Sequence, residues 1–143
     1  MKKLSHLSLI CGVLMLSAVA LNLYDSFVLS DEIAATFTYP LLTRVDLFLG
    51  LPLFYFCAGA LLAGCVAIRL APPRPLRAAL FLGLILAALY VVSAAALLFG
   101  AAGTEGLGRV AYSLQAHPAG RWLFFIVGIL TGFGYGAGED LPA

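Results

Sequence analysis

Four long apolar runs, separated by short polar stretches, organise the chain: residues 7–24, 47–68, 78–100 and 122–138. The runs are apolar on every face, with neither a helical stripe nor alternation at every second position, as in a segment surrounded by hydrocarbon. A hydrocarbon core of about 30 Å takes about 20 helical residues at about 1.5 Å each. No water is present there to satisfy the backbone, so such runs form helix, and without a period of two they do not suit a transmembrane barrel. The expectation is an all-α integral membrane protein, a single domain over residues 1–143 built as a bundle of four transmembrane helices. The fourth run is the weakest helix, because five glycines fall between Gly128 and Gly138.

The polar stretches set the orientation. Lys2 and Lys3 precede the first run, and Arg69, Arg74 and Arg77 flank or occupy the second connection, whereas Arg44, Arg109 and Arg121 fall on the opposite side. Five cations against three place both termini in the cytoplasm of a bacterial-type inner membrane, as a multi-pass protein of the cell membrane. Residues 1–20 also fit a secretory signal, with two lysines, an apolar middle and Ala18-Val19-Ala20. Apolar character continues to Leu23, which favours a retained span.

The connections differ in kind. Residues 69–77 hold Pro72, Pro73 and Pro75 among three arginines, a stiff turn that ends the second helix and offers cations to lipid phosphates. In the first connection Ser30 is a plausible N-cap, with Asp31 and Glu32 in the first turn of a short surface helix that ends before Pro40. In the third, Leu107, Val110, Ala111 and Leu114 fall at helical spacing with Glu105, Arg109 and Ser113 turned away, closing before Pro118. Short extracytoplasmic interfacial helices are therefore expected on that side. Tyr24, Tyr39, Tyr112 and Trp122 lie near the same boundary as an aromatic belt.

Composition then narrows the function. With 63% hydrophobic and 10% charged residues, and a mean hydropathy of +1.06, the chain cannot coat a water-soluble globule. A soluble enzyme, a disordered tail and a nucleic-acid module are set aside, and no nucleic-acid partner is expected. The apolar runs hold almost no ionisable groups. Proton pumps, voltage sensors and intramembrane hydrolases need titratable groups within their spans, so a non-enzymatic role is expected.

The polar residues that stand out gather at the outer ends of the first two runs: Asn22 and Asp25, with Arg44 and Asp46. Antiparallel neighbours bring these ends to similar depth, where Asp25 or Asp46 pairing with Arg44 would form a structural clamp or a polar gate. Tyr90, Ser93 and Thr131 are neutral groups able to cross-link helices, and Pro52 frees a carbonyl and bends the second helix. His6 and His117 fall on opposite sides and cannot share a metal. Of the three cysteines, Cys57 and Cys65 are too far apart along one helix to bridge, and Cys11 and Cys65 share one end. All three are read as small packing residues, and neither metal nor cofactor is expected.

The fourth run carries the most distinctive pattern. Gly128, Gly132 and Gly136 recur every four residues, with Gly134 and Gly138 in a second row; such a ridge lets another helix approach closely. Gly59 and Ala63 on the second run give a complementary smooth face, and self-association is an equal use for the ridge. Thr131 to Gly136 looks like the Gly-Tyr-Gly filter of potassium channels, but Gly132 stands where the filter threonine belongs and Ala137 where its aspartate would follow. Only seven residues come after Gly136, too few for a pore-lining helix.

In size and topology the chain resembles the small four-helix subunits of multicomponent bacterial transporters, without a motif behind the likeness. The reading is an accessory or scaffold subunit of a membrane complex, with a transport complex as the candidate kind, whose partners are the lipid bilayer and other membrane subunits or copies of itself. The alternative is a homo-oligomeric channel or passive transporter for a small solute or ion. A membrane-embedded enzyme comes third.

Overall fold

In the computed structural model, which describes residues 2–70, 77–100 and 105–136, the described residues of the apolar runs are helical up to Gly100, which ends the third. Helix α1 (Lys2–Tyr24) passes unbroken through a π-helical turn at Asp25–Leu29 into α2 (Ser30–Thr36). The chain re-enters helix after Pro40 as α3 (Leu41–Val45), passes a second π-helical turn at Asp46–Gly50, and continues as α4 (Leu51–Leu70). Then come α5 (Arg77–Phe99), α6 (Glu105–Ala116) and α7 (Ala119–Gly136). No strand occurs among the described residues.

Three stretches are long and apolar enough to cross a membrane: Ser8–Thr36, Leu41–Val66 and Ala78–Phe99. The apolar helix Ala119–Tyr135 is shorter. The proline-arginine turn at 71–76 and the residues after Gly136, including Gly138, lie outside the described residues.

The first connection departs from its sequence pattern. Ser30 does not cap a separate helix: its backbone is helical (φ −59, ψ −39) and its N–H reaches back to the Asp25 carbonyl. Its hydroxyl donates to the Ser26 carbonyl at 2.8 Å, the mid-helix alternative to capping. The helix ends at Phe37, whose left-handed backbone (φ 53) turns the chain and whose N–H bonds to the Ile33 carbonyl. Pro40 then permits a restart, since the first residues of a helix need no backbone donor. The helix expected in the third connection forms as α6. It buries Ala111 and sets Gly108 against Leu97 of α5, leaving Arg109 exposed.

Helix α4 is the centre of the bundle, with α7 along one side and α1 along another; α7 also lies on α5, and α6 crosses the end of α5. The interior is made of small residues: Cys57, Ala60, Ala63, Ala94 and Ala111 are all essentially inaccessible. Large side chains face outward instead, among them Leu9, Val13 and Leu16 on α1 and Phe81, Ile85 and Val92 on α5. Lipid tails are as apolar as leucine, so a helix bundle in lipid gains from close backbone approach and not from hiding bulky side chains. Cys11 packs with Cys57 and Ala60, not beside Cys65, and all three thiols are free.

Candidate functional site

The glycine pattern of α7 maps onto two neighbours. A Cβ placed on Gly128 would overlap the carbonyl oxygen of Phe56, and one on Gly132 that of Ala60, both on α4. Gly59 on α4 reciprocates, since its Cβ would overlap the Phe125 carbonyl oxygen, and the adjoining Ala63 is fully buried. Gly134, offset by two positions, faces the backbone of Leu80 on α5. Gly83 on α5 in turn makes room for the hydroxyl of Thr131. Gly136 closes α7. The segment from Thr131 to Gly136 is helical, so its carbonyls are not arrayed as a filter. Gly128, Gly132 and Gly134 are thus occupied within the chain, which leaves that stretch of the ridge no free surface for a second copy.

At the opposite ends of α1 and α4 sits the polar cluster. Asn22 Nδ2 donates to Asp46 Oδ2 at 2.9 Å, tying α1 to the π-helical turn that precedes α4. Asp46 is only 3% exposed, and its other oxygen, Oδ1, is buried without a hydrogen-bond partner among the described residues. Oδ1 lies over Gly50, where a Cβ would overlap it. Asp25 accepts a hydrogen bond from the Thr43 hydroxyl at 2.5 Å. Arg44 is exposed and forms no ion pair among the described residues. The structure therefore joins Asn22 to Asp46 and gives Asp25 a neutral partner, while the pairing of either carboxylate with Arg44 is not formed.

Both aspartates open π-helical turns, and the second turn explains further contacts. The Leu51 N–H bonds to the Asp46 carbonyl, one residue farther back than in an α-helix, so it bypasses the carbonyl of Leu47. Pro52 has no N–H to offer Phe48. Two neighbouring carbonyls thus lose their ordinary partners, and that of Phe48 is buried in the apolar bundle, where an unmet group is costly. Other helices supply the donors: Gln115 Nε2 from α6 bonds to the Leu47 carbonyl, and the Tyr90 hydroxyl from α5 donates to the Phe48 carbonyl at 2.7 Å. Ser93 and Thr131, by contrast, bond within their own helices, to the carbonyls of Leu89 and Val127.

The remaining singled-out residues are placed apart. His6 is exposed on α1, and His117 Nδ1 accepts the Ala119 N–H at 3.3 Å where α7 begins. Among the described residues no group of three or more His, Cys, Asp or Glu side chains comes together. Thr43, Gly50 and Gln115 are the contributors that sequence spacing did not flag. Their partners lie on other helices or depend on a π-helical turn, which a 3.6-residue pattern does not foretell. Comparison of the chain with protein-family models, with curated proteins and with solved structures gives no match.

Proposed function

We propose that the chain is a four-span membrane protein, with both termini cytoplasmic, that serves as an accessory or scaffold subunit of a membrane complex. The observation that carries this reading is the seam between α4 and α7, where backbone meets backbone at Gly59, Gly128 and Gly132. Backbones this close leave no room for a path between α4 and α7. The seam also fixes the relative position of helices whose outward faces, on α1 and α5, remain long and apolar. Such faces suit both lipid and the helices of a partner.

The polar cluster supports a second reading, a channel in which several copies enclose a path. The paired Asn22 and Asp46, with Asp25 beside them, would then lie at its mouth. Native mass spectrometry after mild solubilisation separates the two. A scaffold subunit appears in a stoichiometric complex with the product of another gene, and alone in liposomes it supports no flux. A homo-oligomer of defined size, with flux altered in Asp25→Asn and Asp46→Asn, would replace this proposal with the channel.

A further inference from the structure

We propose that the sulfur atoms of Cys11 and Met15 on α1 and of Cys57 on α4 form a binding site for a soft monovalent metal ion, Cu(I). The Cys57 thiol donates a hydrogen bond to the Cys11 sulfur across the two helices, and both thiols are free. Both residues are buried, at 4% and 0% exposure, and Met15 packs against the pair. Met15 stands four residues after Cys11, one helical turn along the same face of α1. Large side chains of α1 turn outward, and among its described side chains only Cys11 and Ala18 are buried. Packing accounts for two small buried residues, but not for two thiols and a thioether meeting at one contact.

The donor set selects the ion. Thiolate and thioether sulfur are soft ligands that favour Cu(I), whereas magnesium, calcium and manganese want oxygen. A structural zinc ion wants four ligands, and no third His, Cys, Asp or Glu joins the two thiols among the described residues. The separation also suits the ion. With metal–sulfur bonds of about 2.3 Å, two sulfurs on one three-coordinate ion sit about 4 Å apart, near the spacing of two thiols in hydrogen-bond contact. Leu14, Leu53, Phe56 and Leu61 pack around the cluster, and a net charge is costly in such surroundings. One cysteine S–H bond therefore breaks on binding: its electron pair stays on sulfur and bonds the metal, the proton leaves to water, and copper remains Cu(I). The single thiolate cancels the charge of the ion, while the second thiol and the thioether complete the site as neutral donors.

The inference rests on the contact between α1 and α4 and not on the scaffold reading. The test uses the full-length chain in detergent under argon, with an intact mass confirming that Cys11 is present. Cu(I), kept reduced by ascorbate, is titrated in against the chelator bathocuproine disulfonate. The expected result is one ion per chain retained at a chelator concentration that strips copper from Cys11→Ala and from Cys57→Ala. Cys65→Ser, which removes the exposed thiol, should bind as the native chain does. Met15→Leu, close in volume, should weaken binding by about tenfold or more. The ion should also raise the melting temperature of the native chain and not that of Cys57→Ala, since it ties α1 to α4. Native-level binding in a folded Cys11→Ala or Cys57→Ala chain, its loss in Cys65→Ser, or full removal of copper from the native chain by the same chelator would overturn the site. If neither alanine variant folds, Met15→Leu decides, and an unchanged affinity there overturns the three-sulfur site.

Discussion

Tyr90 on α5 donates its hydroxyl to the carbonyl oxygen of Phe48 at 2.7 Å, the carbonyl that Pro52 leaves without its helical partner. The proline bend and the cross-helix tyrosine are therefore one device. Tyr90→Phe should lower stability by about 1–3 kcal/mol, because the buried carbonyl is left unmet. Pro52→Ala returns a backbone donor to Phe48, so in that background the same Tyr90 change should cost distinctly less. Thermal unfolding of the four proteins of this double-mutant cycle, in one detergent, measures the coupling. Equal costs in both backgrounds would separate the tyrosine from the proline.

The glycines of the chain should divide sharply by position. A Cβ on Gly132 meets the backbone of Ala60, which no rotamer change relieves, so Gly132→Ala should destabilise by about 1–3 kcal/mol and Gly132→Leu by more. Gly12 on α1 has open space around its Cα. Gly12→Ala should be neutral or stabilising by up to about 1 kcal/mol, from helix propensity alone. Similar melting temperatures for the two alanine variants would remove the seam from the account of stability.

In the polar cluster, Asn22 and Arg44 should behave differently. Asn22→Ala strips Asp46 of its one hydrogen-bond partner and should cost about 1–3 kcal/mol. Arg44→Gln, at an exposed side chain without an ion pair among the described residues, should change stability by less than about 0.5 kcal/mol. Chemical or thermal unfolding in detergent reads both. A costly Arg44→Gln would restore the arginine to the clamp. Reduced stability with unchanged activity of the assembled complex in Asp46→Asn would confine the cluster to a structural role.

What could be read from the sequence follows from which forces are local. The apolar runs at 7–24, 47–68 and 78–100 fall within helices, but for the closing Gly100, because hydrocarbon length and backbone satisfaction act along the chain. Leu107, Val110, Ala111 and Leu114 marked α6 because amphipathic spacing is also local. Ser30 misled because its hydroxyl can cap a helix or bond back within one, and the continuous helix through Asp25–Leu29 decides for the second. Arg44 misled for a different reason. Its nearness in sequence to Asp46 says nothing of direction, and the buried side of this turn is taken by Asp46 while Arg44 stays outside. The partners Thr43 and Gln115 depend on register between helices, which no single-chain pattern encodes.

The fourth helix decides the topology and can be tested directly. α7 has 18 residues, about 27 Å of helix against a core of about 30 Å. A shortfall of a few ångströms costs only fractions of a kcal/mol per Å, met by local thinning of the bilayer or by snorkelling of Arg121. Spanning is therefore expected, which puts the C-terminus on the side of the N-terminus. A fluorescent protein fused after Ala143 should then be bright and an alkaline phosphatase at the same position inactive, with the reverse after Phe99. An intact mass should retain residues 1–20, since α1 holds Cys11 against Cys57 within the bundle. Active phosphatase at the C-terminus together with a full-length mass would leave three spans, with α7 lying outside the hydrocarbon core. A mass beginning at Leu21 would instead remove the first span and with it the Cys11 contact.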